Sequence, residues 1–409
     1  MSSLRILIIS QDSHGLSHTL RALSVAERIA GSFRNASIML LTDLAIIGKF
    51  KLPGQVDYVH LPGIIYSGFD EVRSRNLNLK AKKIIQIRCK IAQSAAKTFK
   101  PQLVVVDRNP LNLPIEMKKI LGYIRDILPQ TRIVWTLPDV QGDPELITRA
   151  WHQKKIYKLL QQNTDEIWIY GAKELFHQGK VYQFPSSLKK RVVYTGYLNL
   201  CQGGSDKSIE DALFANRERP FVLLTAGSGN EAFALLDAYL SFLEEHAENP
   251  PVRSVIITGP MMPSQDKRFF MQRAQQLPQV VFHRFNKHLQ QYIKHADLVV
   301  CTGGYNTVCD ILNLGKRAIL APGEMPPKEH YWRAKLFDKL KVAEMITPAM
   351  MSKGYLGEKI LSAMQQNTNS LDGRKQNGLN IPLTGMDRIV ERVAHLTQTE
   401  VTESKKVTD

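Results

Sequence analysis

The feature that most constrains this chain is a recurring unit. A short run, apolar at nearly every position, leads into a polar or glycine-bearing loop and then into a stretch with helical period. The run LRILIIS at 4–10 is apolar on both faces of a pleat, and a strand of that kind needs helices covering both sides of a parallel sheet. The loop QDSHGLSH follows, and helical period then runs from about Thr19 to Ala30. ASIMLLT (36–42), VDYVHLP (56–62), QLVVVD (102–107), TRIVWTLPD (131–139), DEIWIYG (165–171) and RVVYTGYL (191–198) continue the strand series. A helix is expected over 80–99, with Ile84, Ile85, Ile87, Ile91 and Ala95 on or near one face. Repeated β-α units imply a mainly parallel sheet with right-handed crossovers.

The pattern starts again after a polar join at 201–220. FVLLTAGSGNEAFALLDAYLSFLEE (221–245), RSVIITGP (253–260), QVVFHRF (279–285), ADLVVCT (296–302) and RAILAPG (317–323) repeat it. The expectation is an α/β molecule of two tandem Rossmann-like domains with open parallel sheets, facing a cleft. The expected divisions are 1–200, a linker over 201–218, a second domain over 219–380, and a C-terminal helix and polar tail over 381–409. With 409 residues, 44% apolar and 22% charged, there is material for two cores and disorder throughout is excluded.

Lys plus Arg exceed Asp plus Glu by 54 − 38 = 16, a balance that attracts anions without choosing among them. From Val72 to Val106 there is no acidic residue and nine basic ones: Arg73, Arg75, Lys80, Lys82, Lys83, Arg88, Lys90, Lys97 and Lys100. A basic amphipathic helix can lie on an anionic membrane or be a solvated face. Aromatics are nearly absent there, which argues against a single-strand stacking platform, and no nucleic-acid partner is expected. The four cysteines, at 89, 201, 301 and 309, lack metal-ligand spacing and suit a reducing cytosol. The N-terminus does not resemble a signal peptide, and no apolar run reaches 18 residues.

Candidate chemistry lies in the loops that follow strands. Gly303 and Gly304 end ADLVVCT and precede a helical stretch, where bare backbone N–H groups and a helix N-terminus suit a phosphate. Gly227, Ser228 and Gly229 have the same context after FVLLTA. In the first half, His18 opens the first helix and is a candidate general base, with His14 its competitor beside Gly15. Asp107 and Asp139 each end a strand, and either could orient a histidine, act as base itself, or cap a helix. Asp310, Glu324 and Glu329 offer acceptors for hydroxyls. His283, His288 and His295 lack the H-E-x-x-H arrangement of a metal site. Walker A, G-x-S-x-G and C-x-x-C patterns are absent.

The segment ADLVVCTGGYNTVCDILNLGKRAILAPG (296–323) resembles the donor-binding signature of nucleotide-sugar glycosyltransferases with two Rossmann domains, the GT-B fold. In kind it is similar to the family 28 N-acetylglucosaminyltransferases that make the lipid-linked peptidoglycan precursor. DPELITRAW (143–151), DEIWIYG, YTGYL (194–198), TAGSGNE (225–231) and KEHYWRA (328–334) resemble a bacterial group of predicted glycosyltransferases. The resemblance spans about residues 4–395. It implies an acceptor-side first domain and a donor-binding second domain. Gly303, Gly304, Asn306 and Thr307 would cradle the donor pyrophosphate, with Gly227 to Gly229 nearby. Asp310, where Glu is commoner, would hold the ribose. Glu329 and His330, with His in place of the usual Gln, would address the sugar. LSH–TLR–ALS matches the family's G-G-H loop and helix, with His18 on the histidine and Leu16 and Ser17 replacing glycines.

The implied reaction is transfer of a sugar from a nucleotide sugar, a UDP-sugar by family, to a hydroxyl, with inversion and without metal or cofactor. His18 is the first candidate base and Asp107 the second. The acceptor is open, with a lipid or polysaccharide suggested by the basic 73–100 stretch, at the cytoplasmic side of a membrane. A nucleotide-sugar 2-epimerase and a non-catalytic nucleotide-binding protein are the alternatives.

Overall fold

The computed structural model describes residues 3–12, 15–67, 71–112, 114–199, 219–286, 288–365 and 380–402. The expected linker at 201–218 and His14 lie outside the described residues. The chain forms two compact units: one from 1–139, 144–198 and 384–409, the other from 140–143 and 199–383.

The first unit is built on a seven-stranded parallel sheet. Its strands are β1 (Leu4–Ser10), β2 (Ala36–Thr42), β3 (Val56–His60), β6 (Leu103–Asp107), β7 (Arg132–Pro138), β8 (Glu166–Tyr170) and β9 (Val192–Tyr194), in the order β3-β2-β1-β6-β7-β8-β9. A two-stranded antiparallel hairpin, β4 (Ile64–Ser67) with β5 (Glu71–Ser74), interrupts the series; no periodicity had announced it. The sheet order reverses between β1 and β6, and ligands in such sheets sit beyond the strand ends at that switch point. In register, Ser10 at the end of β1 pairs Asp107 at the end of β6.

The core explains the apolar runs. Ile6, Leu7 and Ile8 of β1 and Val104 to Val106 of β6 are almost wholly removed from solvent, as strands covered on both faces must be. Trp151 is fully buried and stacks on Phe184 at 5.5 Å between ring centres. Burying a ring of that size stabilises by about 4–6 kcal/mol by area.

The C-terminal helix Gly385–Thr397 belongs to this first unit. Met386, Ile389, Val390 and Val393 form the i, i+3, i+4, i+7 stripe that a helix must bury. Arg392 pairs with Glu166, and Gly385 N–H donates to the Tyr197 carbonyl at 3.0 Å. A methyl at Gly385 would lie 2.7 Å from that same carbonyl oxygen.

The second unit has a six-stranded parallel sheet. Its strands are β10 (Phe221–Thr225), β11 (Arg253–Ile257), β12 (Val280–His283), β13 (Leu298–Cys301), β14 (Ala318–Leu320) and β15 (Glu344–Met345), in the order β12-β11-β10-β13-β14-β15. Here the switch point falls between β10 and β13, the two strands that carry the glycine loops.

Candidate functional site

In the first unit the site begins with a cap. Leu16, the residue before the helix Ser17–Ser32, offers no capping side chain. Asp12 supplies one from the preceding loop, its carboxylate accepting from His18 N–H at 3.0 Å and Thr19 N–H at 2.5 Å. Two orphan helix donors are thereby satisfied by a negative group at the positive end of the helix. The Asp12 N–H in turn donates to Asp43 at 3.0 Å.

This fixes His18 beside the end of β6. Its Nδ1 lies 2.8 Å from Asp107 Oδ1. Arg21, one helical turn on, donates to both oxygens of the same carboxylate, Nε to Oδ2 at 2.8 Å and Nη2 to Oδ1 at 2.5 Å. Asp107 and Arg21 are buried, while the His18 side chain is 24% exposed. Burial by itself would raise the Asp107 carboxyl; the Arg21 charge and the hydrogen bonds from His18 and Arg21 outweigh it and hold it at about 2. An ionised carboxylate only accepts, so the contact requires Nδ1–H on His18. Arg21 Nη2 also approaches Nδ1 at 2.9 Å, but with Nδ1 protonated that approach is not a bond. In the neutral ring the lone pair is then on Nε2.

A second buried network continues inward. Arg88 donates to Glu116 at 2.6 Å and to Asp43 at 3.2 Å, and Arg108 donates to the other Glu116 oxygen at 3.0 Å. Burial opposes the Glu116 charge, but the two guanidiniums hold its carboxyl below the usual range. Two of the nine basic residues of the 73–100 stretch are thus withdrawn from its outer face. Arg88 is buried and Arg75 half-buried, its guanidinium donating to the Asp43 carbonyl at 3.1 Å, and the other seven basic residues are exposed. Asp139 is taken up by structure, with the Tyr197 hydroxyl donating to it at 3.1 Å.

In the second unit the site is made mostly of backbone. Gly227 (φ 61°) and Gly229 (φ 98°) both have positive φ, conformations that glycine adopts without steric cost. A Cβ at Gly229 would lie 2.5 Å from the Thr258 carbonyl oxygen, so the loop admits no side chain there. A Cβ at Gly227 would lie 3.3 Å from Thr302 Oγ1, which puts this loop beside the end of β13. Gly303 has φ 83°, and Gly304 starts the helix Tyr305–Leu314 without any side-chain cap. A helix N-terminus behind a loop of bare glycines is the kind of place that suits an anion.

Thr307 and Asp310 are buried on that helix, and Asn306 is half-buried. Burial raises the Asp310 carboxyl to about 7, against the hydrogen bond that Gln290 donates to it at 2.7 Å. Glu329 and His330 open the helix Glu329–Lys339, and His330 Nε2 would lie 3.7 Å from a Cβ at Gly304. Burial lowers the His330 ring below its ordinary value, which favours its neutral form. The structure thus gathers Gly303, Gly304, Glu329 and His330, and sets Gly227 next to them. Glu324 is exposed and ion-paired to Lys328 at 3.9 Å.

Two second-unit residues escaped the sequence reading. Arg333 is wholly buried, donating to the Gly303 carbonyl at 3.1 Å and to Glu329 at 2.6 Å. Glu231 lies against Gly323, and burial, with repulsion from Glu329, raises its carboxyl to about 7. The only available signal was their place in TAGSGNE and KEHYWRA. Among the described residues no group of three or more His, Cys, Asp or Glu is gathered as for a metal ion, and no helix is long and apolar enough to cross a membrane.

Residues 221–391 match the glycosyltransferase family 28 C-terminal domain. The chain has the GT-B fold and is related to the family 28 glycosyltransferases. It is 28% identical over 112 residues, 27% of this chain and 31% of that protein, to the UDP-N-acetylglucosamine--N-acetylmuramyl-(pentapeptide) pyrophosphoryl-undecaprenol N-acetylglucosamine transferase of Wigglesworthia glossinidia brevipalpis. The chain spans between 31% and 50% of the length of the curated relatives it matches. Among solved GT-B structures, Acinetobacter baumannii MurG superposes with a TM-score of 0.59 at 13% identity, covering 96% of this chain and 99% of that one. A putative UDP-N-acetylglucosamine 2-epimerase from Listeria monocytogenes superposes with 0.64 at 10% identity, covering all of both chains. These superpositions establish the fold.

Proposed function

We propose that the protein transfers a sugar from a UDP-sugar to an acceptor hydroxyl, with inversion at the anomeric carbon. The observation that carries this is the glycine pair, Gly303 with its positive φ and Gly304, at the start of the helix Tyr305–Leu314, with the buried acid Asp310 further along that helix. The match to the family 28 domain over 221–391 and the activity named for the relatives support it.

In this reading, backbone N–H groups of the glycine loops hold the pyrophosphate. They stabilise the charge that develops on the nucleoside diphosphate as the glycosidic bond breaks. Asp310 accepts from the ribose hydroxyls, and Glu329 and His330 address the sugar. His18 takes the acceptor's hydroxyl proton on Nε2. Asp107, already ionised and paired, holds the ring by Nδ1–H and stabilises the imidazolium that forms. Its low pKa and its Arg21 partner make it a positioning group and a poor base. The exposed lysines of the 73–100 stretch support a peripheral contact with an anionic surface, and with it a lipid or polysaccharide acceptor.

Thermal shift against UDP and a panel of UDP-sugars tests the donor reading, since a ligand that prefers the folded state raises the transition temperature. No shift with any of them overturns it. The carboxylate pair Glu231 and Glu329 favours one second reading, a 2-epimerase that needs no acceptor. Epimerised UDP-sugar after incubation with the protein alone would establish that alternative.

A further inference from the structure

Arg333 stands out among the groups that catalysis does not use. It is 0% exposed, and its guanidinium lies over the Tyr305 ring at 5.4 Å. Its two Nη groups are divided between two different parts of the donor site. Nη1 donates to the carbonyl of Gly303, the residue whose positive φ shapes the phosphate loop; Nη2 donates to the carboxylate of Glu329. A planar fork with donors at fixed angles can span two acceptors in this way, whereas an ammonium is a point charge on a flexible stem.

We infer that Arg333 is a positioning residue that couples the phosphate-holding glycine loop to the sugar-side carboxylate Glu329, so that the two ends of the donor are recognised as one unit. The inference rests on the donor reading above. A shift of the Gly303 peptide on binding pyrophosphate is transmitted through the rigid guanidinium to Glu329. Conversely, a sugar that engages Glu329 reinforces the loop. Neither effect requires Arg333 to touch the donor.

The test compares UDP with the best-binding member of a UDP-sugar panel, measured by calorimetry on the wild type, Arg333→Lys, Glu329→Gln and the double variant, with melting temperatures alongside. Arg333→Lys keeps the charge and removes the fork. The affinity of the UDP-sugar relative to UDP is expected to fall about tenfold, the size of one charge-assisted hydrogen bond, while UDP alone changes little. Glu329→Gln should lose the same ratio, and the double variant should lose no more than either single one, because both break one link. A parallel loss for UDP and UDP-sugar, in step with the melting temperature, would make Arg333 a scaffold residue and overturn the inference. If Arg333→Lys does not fold, Glu329→Gln decides: an unchanged ratio there also overturns it. A wild type that binds neither nucleotide defeats the donor reading itself, and the coupling falls with it.

Discussion

In the first unit, the loop beyond the first central strand ends in a histidine gripped by a buried Asp–Arg pair. In the second, the corresponding loop and its neighbour after β13 end in glycines. Both lie where the strand order of a parallel sheet reverses, the place where such sheets bind ligands. They are built from different materials, and the proposed function gives them different tasks. Moving a proton needs a side chain with a lone pair and a fixed tautomer, and Asp107 and Arg21 supply that fixity. Holding a delocalised anion needs several N–H donors at close range, and a side chain on those glycines would obstruct them. The comparison teaches that in a strongly basic chain several guanidiniums can be taken up inside by buried carboxylates, so that on the proposed function a phosphorylated ligand would be held largely by backbone.

The division of labour can be broken in order of expected effect. His18→Gln should lower the transfer rate by about 10²–10⁴-fold, the usual contribution of a positioned base, with UDP affinity intact. A matching loss of UDP affinity would show that the two regions are not separable in function. Arg21→Met leaves Asp107 buried without its counter-charge, and should destabilise the protein by about 3–5 kcal/mol in urea unfolding. Restoring much of that stability with Asp107→Asn in the same chain would show that the pair, and not the arginine's packing, is responsible.

Gly304→Ala sharpens the backbone side of the comparison. A methyl there meets nothing closer than 3.7 Å within the protein, so the melting temperature should hold. The donor's approach is obstructed, and UDP binding should weaken about tenfold, as for loss of one hydrogen bond to a charged group. The smallest effect is on pH. Asp310 ionises at about 7 in the folded state, so donor affinity should rise as the pH climbs through 7, and Asp310→Asn should abolish the dependence. Stability runs the other way: the unfolded carboxyl ionises near its ordinary value of about 4. Between about 4 and 7 the unfolded state sheds its proton first, and stability falls as pH rises. Asp310→Asn should flatten that decline in urea midpoints measured from pH 5 to 8.

Much of the sheet architecture was legible because a strand covered on both faces must be apolar at consecutive positions. LRILIIS and QLVVVD could be little else. The hairpin of β4 and β5 escaped because its residues alternate too weakly to distinguish strand from loop. At the site, the glycine pair before YNTVCDIL was legible because strand, glycine and helix start are all local signals. Arg21, Arg88, Arg108 and Arg333 were not. An arginine in a helical or loop sequence looks like a solvated charge unless its carboxylate is known to lie beside it, and Arg21's partner is 86 residues away.

The sequence by itself determined two parallel α/β units, the loops where a ligand would sit, and histidine and glycine as their chemical character. Those properties depend on residues within one turn or one strand of each other. Only the tertiary structure decided that Asp107 orients His18, that Arg88 faces inward, that the C-terminal helix returns to the first unit, and that Arg333 joins Gly303 to Glu329. Each of these depends on a contact made by folding between distant positions, where burial and pairing together set the charge state.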